Sequence, residues 1–92
     1  MAVQRFRKKP VVIDAVQWTG DNEEELVEFA GANFETVDDS PEWTARVFDK
    51  LHDSWIEART GDWIVRGVRG ENYPVHQEVL AETYDLVNED AD

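Results

Sequence analysis

Short runs of β-branched and aromatic residues, each ended by Gly, Pro, Asp or Asn, fill most of this chain. Clear helical spacing is confined to one stretch, where Leu26, Phe29 and Ala30 share a face between Asp21 and Gly31. Period-two runs become strands and a 3.6-residue stripe becomes a helix, so the pattern predicts a sheet-rich domain carrying one principal helix. Asp21 is expected to cap that helix, with Glu24 at capping-box spacing, and Gly31 to stop it. Glu23, Glu24 and Glu25 then sit at the positive end of the helix dipole, which accounts for their clustering without a catalytic or metal role.

The strand expectations follow the same reasoning. Residues 11–18 read as a strand covered on both faces, because apolar groups occupy both phases of the alternation. Residues 33–37, 43–48, 55–59, 63–68 and 71–75 read as further strands, with turns at 38–41 and 60–62 and a long loop over 49–54. Arg69-Gly70 is expected to close a tight hairpin, and Pro74, lacking an amide donor, to lie at a sheet edge or strand end. Residues 76–82 predict a short second helix with Val79 and Leu80 inward, and 83–87 a last strand. The fold class expected is α+β: a single small domain with a curved, mostly antiparallel sheet, a principal helix over about 21–31 and a short one over about 76–82.

Composition limits what such a domain can be. Ninety-two residues enclose one core, and with no Cys there is neither a disulfide nor a thiolate to help hold it. Four Trp, four Phe and two Tyr supply bulk for that core, in which at least two Trp are expected. No apolar run is long enough to span a bilayer, and residues 1–10 lack the apolar stretch of a secretory signal, so a soluble intracellular protein is expected.

Nine Lys and Arg face 21 Asp and Glu, for a net charge of −12. The imbalance is uneven. Arg5, Arg7, Lys8 and Lys9 make residues 1–9 a basic arm of +4, whereas the other 83 residues carry −16. The expected organisation is therefore arm 1–9, domain 10–87 and acidic tail 88–92. A body so acidic repels phosphate backbones, which argues against nucleic-acid binding and leaves DNA mimicry as a minor possibility.

No constellation of catalytic residues stands out. Ser40 adjoins a proline and Ser54 follows Asp53 near His52, but neither has the setting of a nucleophile elbow. Asp49, His52 and Asp53, with His76 and Glu78 further on, could offer metal ligands, although turn chemistry explains them as well. No phosphate-binding glycine motif is present. The expectation is a non-enzyme with no metal and no cofactor. Trp and Arg are the suggestive residues, because both anchor interfaces and arginine also stacks on bases and grips phosphate. A Trp beside Arg46, Arg59, Arg66 or Arg69 would make an aromatic and cationic pocket. The candidate binding residues are Trp55, Trp63, Arg66, Arg69 and Tyr73, with the arm residues Arg5, Arg7, Lys8 and Lys9 as an electrostatic element.

The opening Arg5-Phe6-Arg7-Lys8-Lys9-Pro10-Val11-Val12-Ile13, continuing through Gln17-Trp18-Thr19-Gly20-Asp21, resembles small bacteriophage and prophage proteins that begin in the same way. The half from Thr60-Gly61-Asp62-Trp63-Ile64-Val65 to Glu82-Thr83-Tyr84 is similar to the family named for its Pro-Gly-Asp-Tyr-Gly motif. Thr60, Trp63 and Ile64 stand here at the motif's proline, tyrosine and last glycine. The resemblance implies a phage origin and a compact fold, and brings no activity. The expected function is a phage-encoded, non-catalytic accessory protein in host cytoplasm, a host-modulating module that engages a host protein or sequesters a small nucleotide-like ligand, the partner being a host or phage protein or that ligand. The alternative is a virion structural or assembly component, with a small enzyme as a lesser possibility.

Overall fold

A computed structural model describes residues 2–6, 11–38 and 40–87. Arg7, Lys8 and Lys9 of the basic arm and the tail 88–92 lie outside the described residues. The elements run β1 (Asp14–Gln17), α1 (Glu23–Ala30), a single 3₁₀ turn (Gly31–Asn33), β2 (Phe34–Thr36), β3 (Ala45–Asp49), β4 (Ser54–Ala58), β5 (Trp63–Arg66), β6 (Asn72–Val75) and α2 (Gln77–Thr83). This is the expected small α+β domain, with a principal helix and a short second one. Every strand pairing is antiparallel, but the strands divide into two three-stranded sheets, ordered β1-β5-β6 and β2-β3-β4, in place of one curved sheet.

The core lies where α1 and the inner faces of both sheets meet. Trp18, Leu26, Ala30, Phe34, Ala45, Val47, Ala58 and Ile64 form one buried cluster, with Val16 and Phe29 against it. Leu26 and Ala30 come from one side of α1, four residues apart, which is why the helix docks there. Complete burial of Leu26 contributes about 1.5–3 kcal/mol. Only one Trp, Trp18, is fully enclosed. Its ring meets Phe34 edge-on at 5.2 Å, and its indole N–H donates to Thr44 Oγ1 at 3.0 Å. Thr44 Oγ1 in turn lies 2.9 Å from Thr60 Oγ1, so the indole ties the end of β1 to the start of β3 and the β4–β5 turn through a polar chain.

Several sequence expectations are corrected. β1 covers four residues, because Val11 and Val12 precede any pairing and stay exposed, Val12 by 74%. The residue at the α1 N-cap is Asn22, not Asp21, and its side chain braces the entry loop instead of a helix amide. Asn22 Oδ1 accepts from Thr19 N, while its Nδ2 donates to Gln17 O and Glu25 Oε1. Asp21 is occupied by the Thr19 hydroxyl at 2.7 Å. Gly31 ends the helix with φ +61°, as expected of a glycine stop.

At the other end, α2 runs one residue further than expected. Val79 is about half exposed, while Leu80 is the more covered of the pair. Residues 84–87 form no strand, for Thr83 is still helical and its hydroxyl donates back to Val79 O. The hairpin joining β5 to β6 is wider than two residues: Gly67 N–H donates to Glu71 O and Gly70 N–H to Gly67 O. Pro74 sits on β6, an edge strand, where a missing amide is tolerated.

Candidate functional site

The outer face of β2-β3-β4 is built by register. Glu35, Arg46 and Glu57 lie side by side across the three strands, and Phe48 opposes Trp55. Alternation sends their neighbours Phe34, Val47, Ala45 and Ala58 into the core, leaving these five pointing away from it. Arg46 leans diagonally across the β3–β4 pair, its guanidinium carbon 4.5 Å from the centroid of the Trp55 ring. Phe48 meets the same Trp55 ring edge-on at 5.4 Å. A second pair continues the face beyond the strand ends, with Arg59 placed 4.9 Å from the Trp43 ring. Between the two pairs runs a shallow groove of about 320 Å³ lined by Val37, Ser40, Trp43, Arg46 and Glu57.

Electrostatics separate what this face can hold. Arg46 is already engaged, because Nε and Nη2 both donate to Glu35 Oε2, at 2.8 and 2.6 Å. Glu57 stands on its other side in the register. Two arginines and two glutamates therefore balance, and a phosphate brought to Arg46 would meet carboxylates on both flanks. Trp55 nevertheless stays 39% exposed while held by Arg46 and Phe48. An aromatic fixed in place and still open to solvent is suited to anchoring a binding partner.

The other candidate residues are not gathered here. Trp63 and Tyr73 lie on β5 and β6, both half-buried, on the face of β1-β5-β6 turned toward α2. Burial, with smaller contributions from Tyr84, Glu71 and Asp49, holds the Tyr73 hydroxyl above the ordinary tyrosine pKa. Arg66 braces the fold: Nη2 donates to Phe29 O at 2.8 Å, the guanidinium stacks 4.3 Å from the Phe29 ring, and Nη1 stands 3.5 Å from Asp14. Arg69 is exposed in the β5–β6 hairpin, where its backbone N–H donates to Glu71 Oε1. Arg5 is exposed. Trp55 is thus the one candidate that the fold sets on the Trp/Arg face, and Trp43, Arg46 and Arg59 join it. Their pairing could be found from the β3–β4 register, in which partners sum to a constant and put Arg46 diagonal to Trp55.

The histidines serve turns. Asp49 is buried at the end of β3; its Oδ2 lies 2.7 Å from His52 Nδ1 and its Oδ1 accepts from Leu51 N. The His52 hydrogen bond is the chief cause that holds the Asp49 carboxyl below its ordinary pKa, against the opposing effect of burial. His76 is the N-cap of α2, its Nδ1 accepting from Glu78 N. Ser40 Oγ accepts from Glu42 N within a turn. Among the described residues, no three or more His, Asp or Glu side chains converge as metal ligands would. No helix among them is long and apolar enough to cross a membrane.

No protein-family model matches this chain, and no curated protein or solved structure does so either.

Proposed function

We propose that this chain is a non-catalytic binding module that grips a protein partner with the outer face of β2-β3-β4, Trp55 being the central anchor. The observation behind the reading is Trp55 itself, 39% exposed yet in contact with both Arg46 and Phe48. Burying such a ring costs little ordering entropy at the moment of binding, so less of the contact free energy is lost to fixing the side chain. The local charge balance favours a protein over a nucleotide-like ligand. The resemblance of the opening segment to phage and prophage proteins makes host and phage proteins the partners to try first, in keeping with an accessory role toward the host.

The test uses the immobilised full chain as bait in extracts of infected and uninfected host, alongside Trp55→Ala, Arg59→Ala and, on the distant hairpin, Val68→Ser. A companion retained by wild type and Val68→Ser but lost from Trp55→Ala and Arg59→Ala supports the reading. Truncating a central anchor weakens binding by about 2 kcal/mol or more, roughly thirtyfold. Identical companions on all four baits would show that the face is not the site.

A further inference from the structure

A second surface, on the far sheet, gathers exposed apolar side chains. Of eleven exposed large hydrophobic residues among those described, seven belong to the two terminal segments and α2: Val3, Phe6, Val11, Val12, Val79, Leu86 and Val87. Between these segments lies a groove of about 300 Å³, whose floor is Ala15 and Trp63 and whose walls are Val11 to Ile13 on one side and Leu80, Leu86 and Val87 on the other. It borders β1, an edge strand whose outer side pairs with no other strand among the described residues.

The rim of this groove is acidic. Asp14 and Asp85 line it, and the stretch 77–87 carries Glu78, Glu82 and Asp85 with no Lys or Arg. Arg66 approaches Asp14 only to 3.5 Å and leaves 71% of that side chain exposed. The complementary segment is in the same sequence. Residues 2–9 hold Val3 and Phe6 among Arg5, Arg7, Lys8 and Lys9, with no acid. Val3 is 91% and Phe6 86% exposed, and neither lines the groove of its own chain.

We propose that the groove receives the arm of a second copy, Val3 and Phe6 entering between β1 and residues 80–87 while Arg5 meets the acidic rim at Asp14 and Asp85. The exchange is reciprocal about a two-fold axis, so each copy gives one arm and fills one groove, as a closed isologous dimer requires. It also covers an open strand edge and an apolar patch that a monomer would leave in water. This surface is separate from the Trp55 face, which the dimer would present twice.

Light scattering coupled to size-exclusion chromatography tests the assembly. The full chain at tens of micromolar should run as a dimer, and the double variant Val3→Ser/Phe6→Ser as a monomer with unchanged circular dichroism, since both residues are exposed. Raising salt should loosen the wild-type dimer by about tenfold or more, because the rim contacts are ionic. The absence of native cysteine supplies a second measurement. Phe6→Cys mixed with Leu86→Cys should give a disulfide joining the two different chains, and the double cysteine variant should link chain to chain. A monomeric wild type overturns the proposal. So does a dimer indifferent to Val3→Ser/Phe6→Ser, or a double cysteine variant that closes within one chain at every concentration.

Discussion

Trp18 does two jobs, and its chemistry explains why neither leucine nor phenylalanine would serve. The ring fills the junction of helix and sheets, and the indole N–H satisfies Thr44 inside it. Trp18→Phe keeps the apolar edge against Phe34 but removes the donor and part of the volume. A loss of about 2–3 kcal/mol is expected, read as a lower urea midpoint with unchanged slope. Asp49 poses a different residue-scale question. Its folded pKa is depressed, so its ionised form adds stability that is in place above the unfolded pKa and disappears as pH falls through the folded one. Asp49→Asn should therefore be less stable than wild type at pH 7, the gap closing below about pH 4, where aspartate protonates in the unfolded chain. Urea midpoints for both proteins across that range check it, and a gap that does not change with pH would refute it.

Two glycines show how turns between elements can depend on unrelated causes. Gly31 ends α1 at φ +61°, and a Cβ there would meet nothing, so any cost is purely in the backbone. Gly67 has no such φ, but a Cβ there would land in the Glu71 carboxylate, which is buried and accepts the Arg69 N–H at 3.0 Å. Gly31→Ala should cost about 1–3 kcal/mol whatever else is changed. Gly67→Ala should cost about 1–2 kcal/mol in the wild-type background and little after Glu71→Ala has removed the obstruction. A double-mutant cycle by thermal unfolding separates the two, and equal costs for Gly67→Ala in both backgrounds would place its origin elsewhere. The strand ends carry a related lesson. Val11 and Val12 have strand propensity but no partner strand, and residues 83–87 lost their expected strand to the last turn of α2, because local preference yields where pairing is not supplied.

At the scale of the whole molecule, a net charge of −12 leaves twelve acidic side chains in excess of Lys and Arg, beyond what ion pairs such as Arg46–Glu35 can neutralise. Like-charge repulsion should therefore lower stability at low ionic strength. For the monomeric Val3→Ser/Phe6→Ser variant, moving from about 10 mM to about 500 mM salt should raise Tm by a few degrees as the Debye length shrinks. Wild type should in addition show a Tm that climbs with protein concentration, since assembly stabilises by mass action. A variant whose Tm falls with salt would count against repulsion as the governing effect.

What the amino-acid order determined by itself was everything that depends on near neighbours: the helical stripe of Leu26, Phe29 and Ala30, the stop at Gly31, the edge position of Pro74, the β3–β4 hairpin and the α+β class. These rest on backbone preference and on periods of two and 3.6 residues, which act over a few residues. Only the tertiary structure decided that the strands split into two sheets, that a single Trp would be enclosed, and that Arg66 would brace Phe29 while Arg46 and Arg59 stack on Trp55 and Trp43. Each of these turns on which distant segments share a core. Many arrangements bury nearly the same apolar area, so the choice among them is made by long-range packing and not by any local signal.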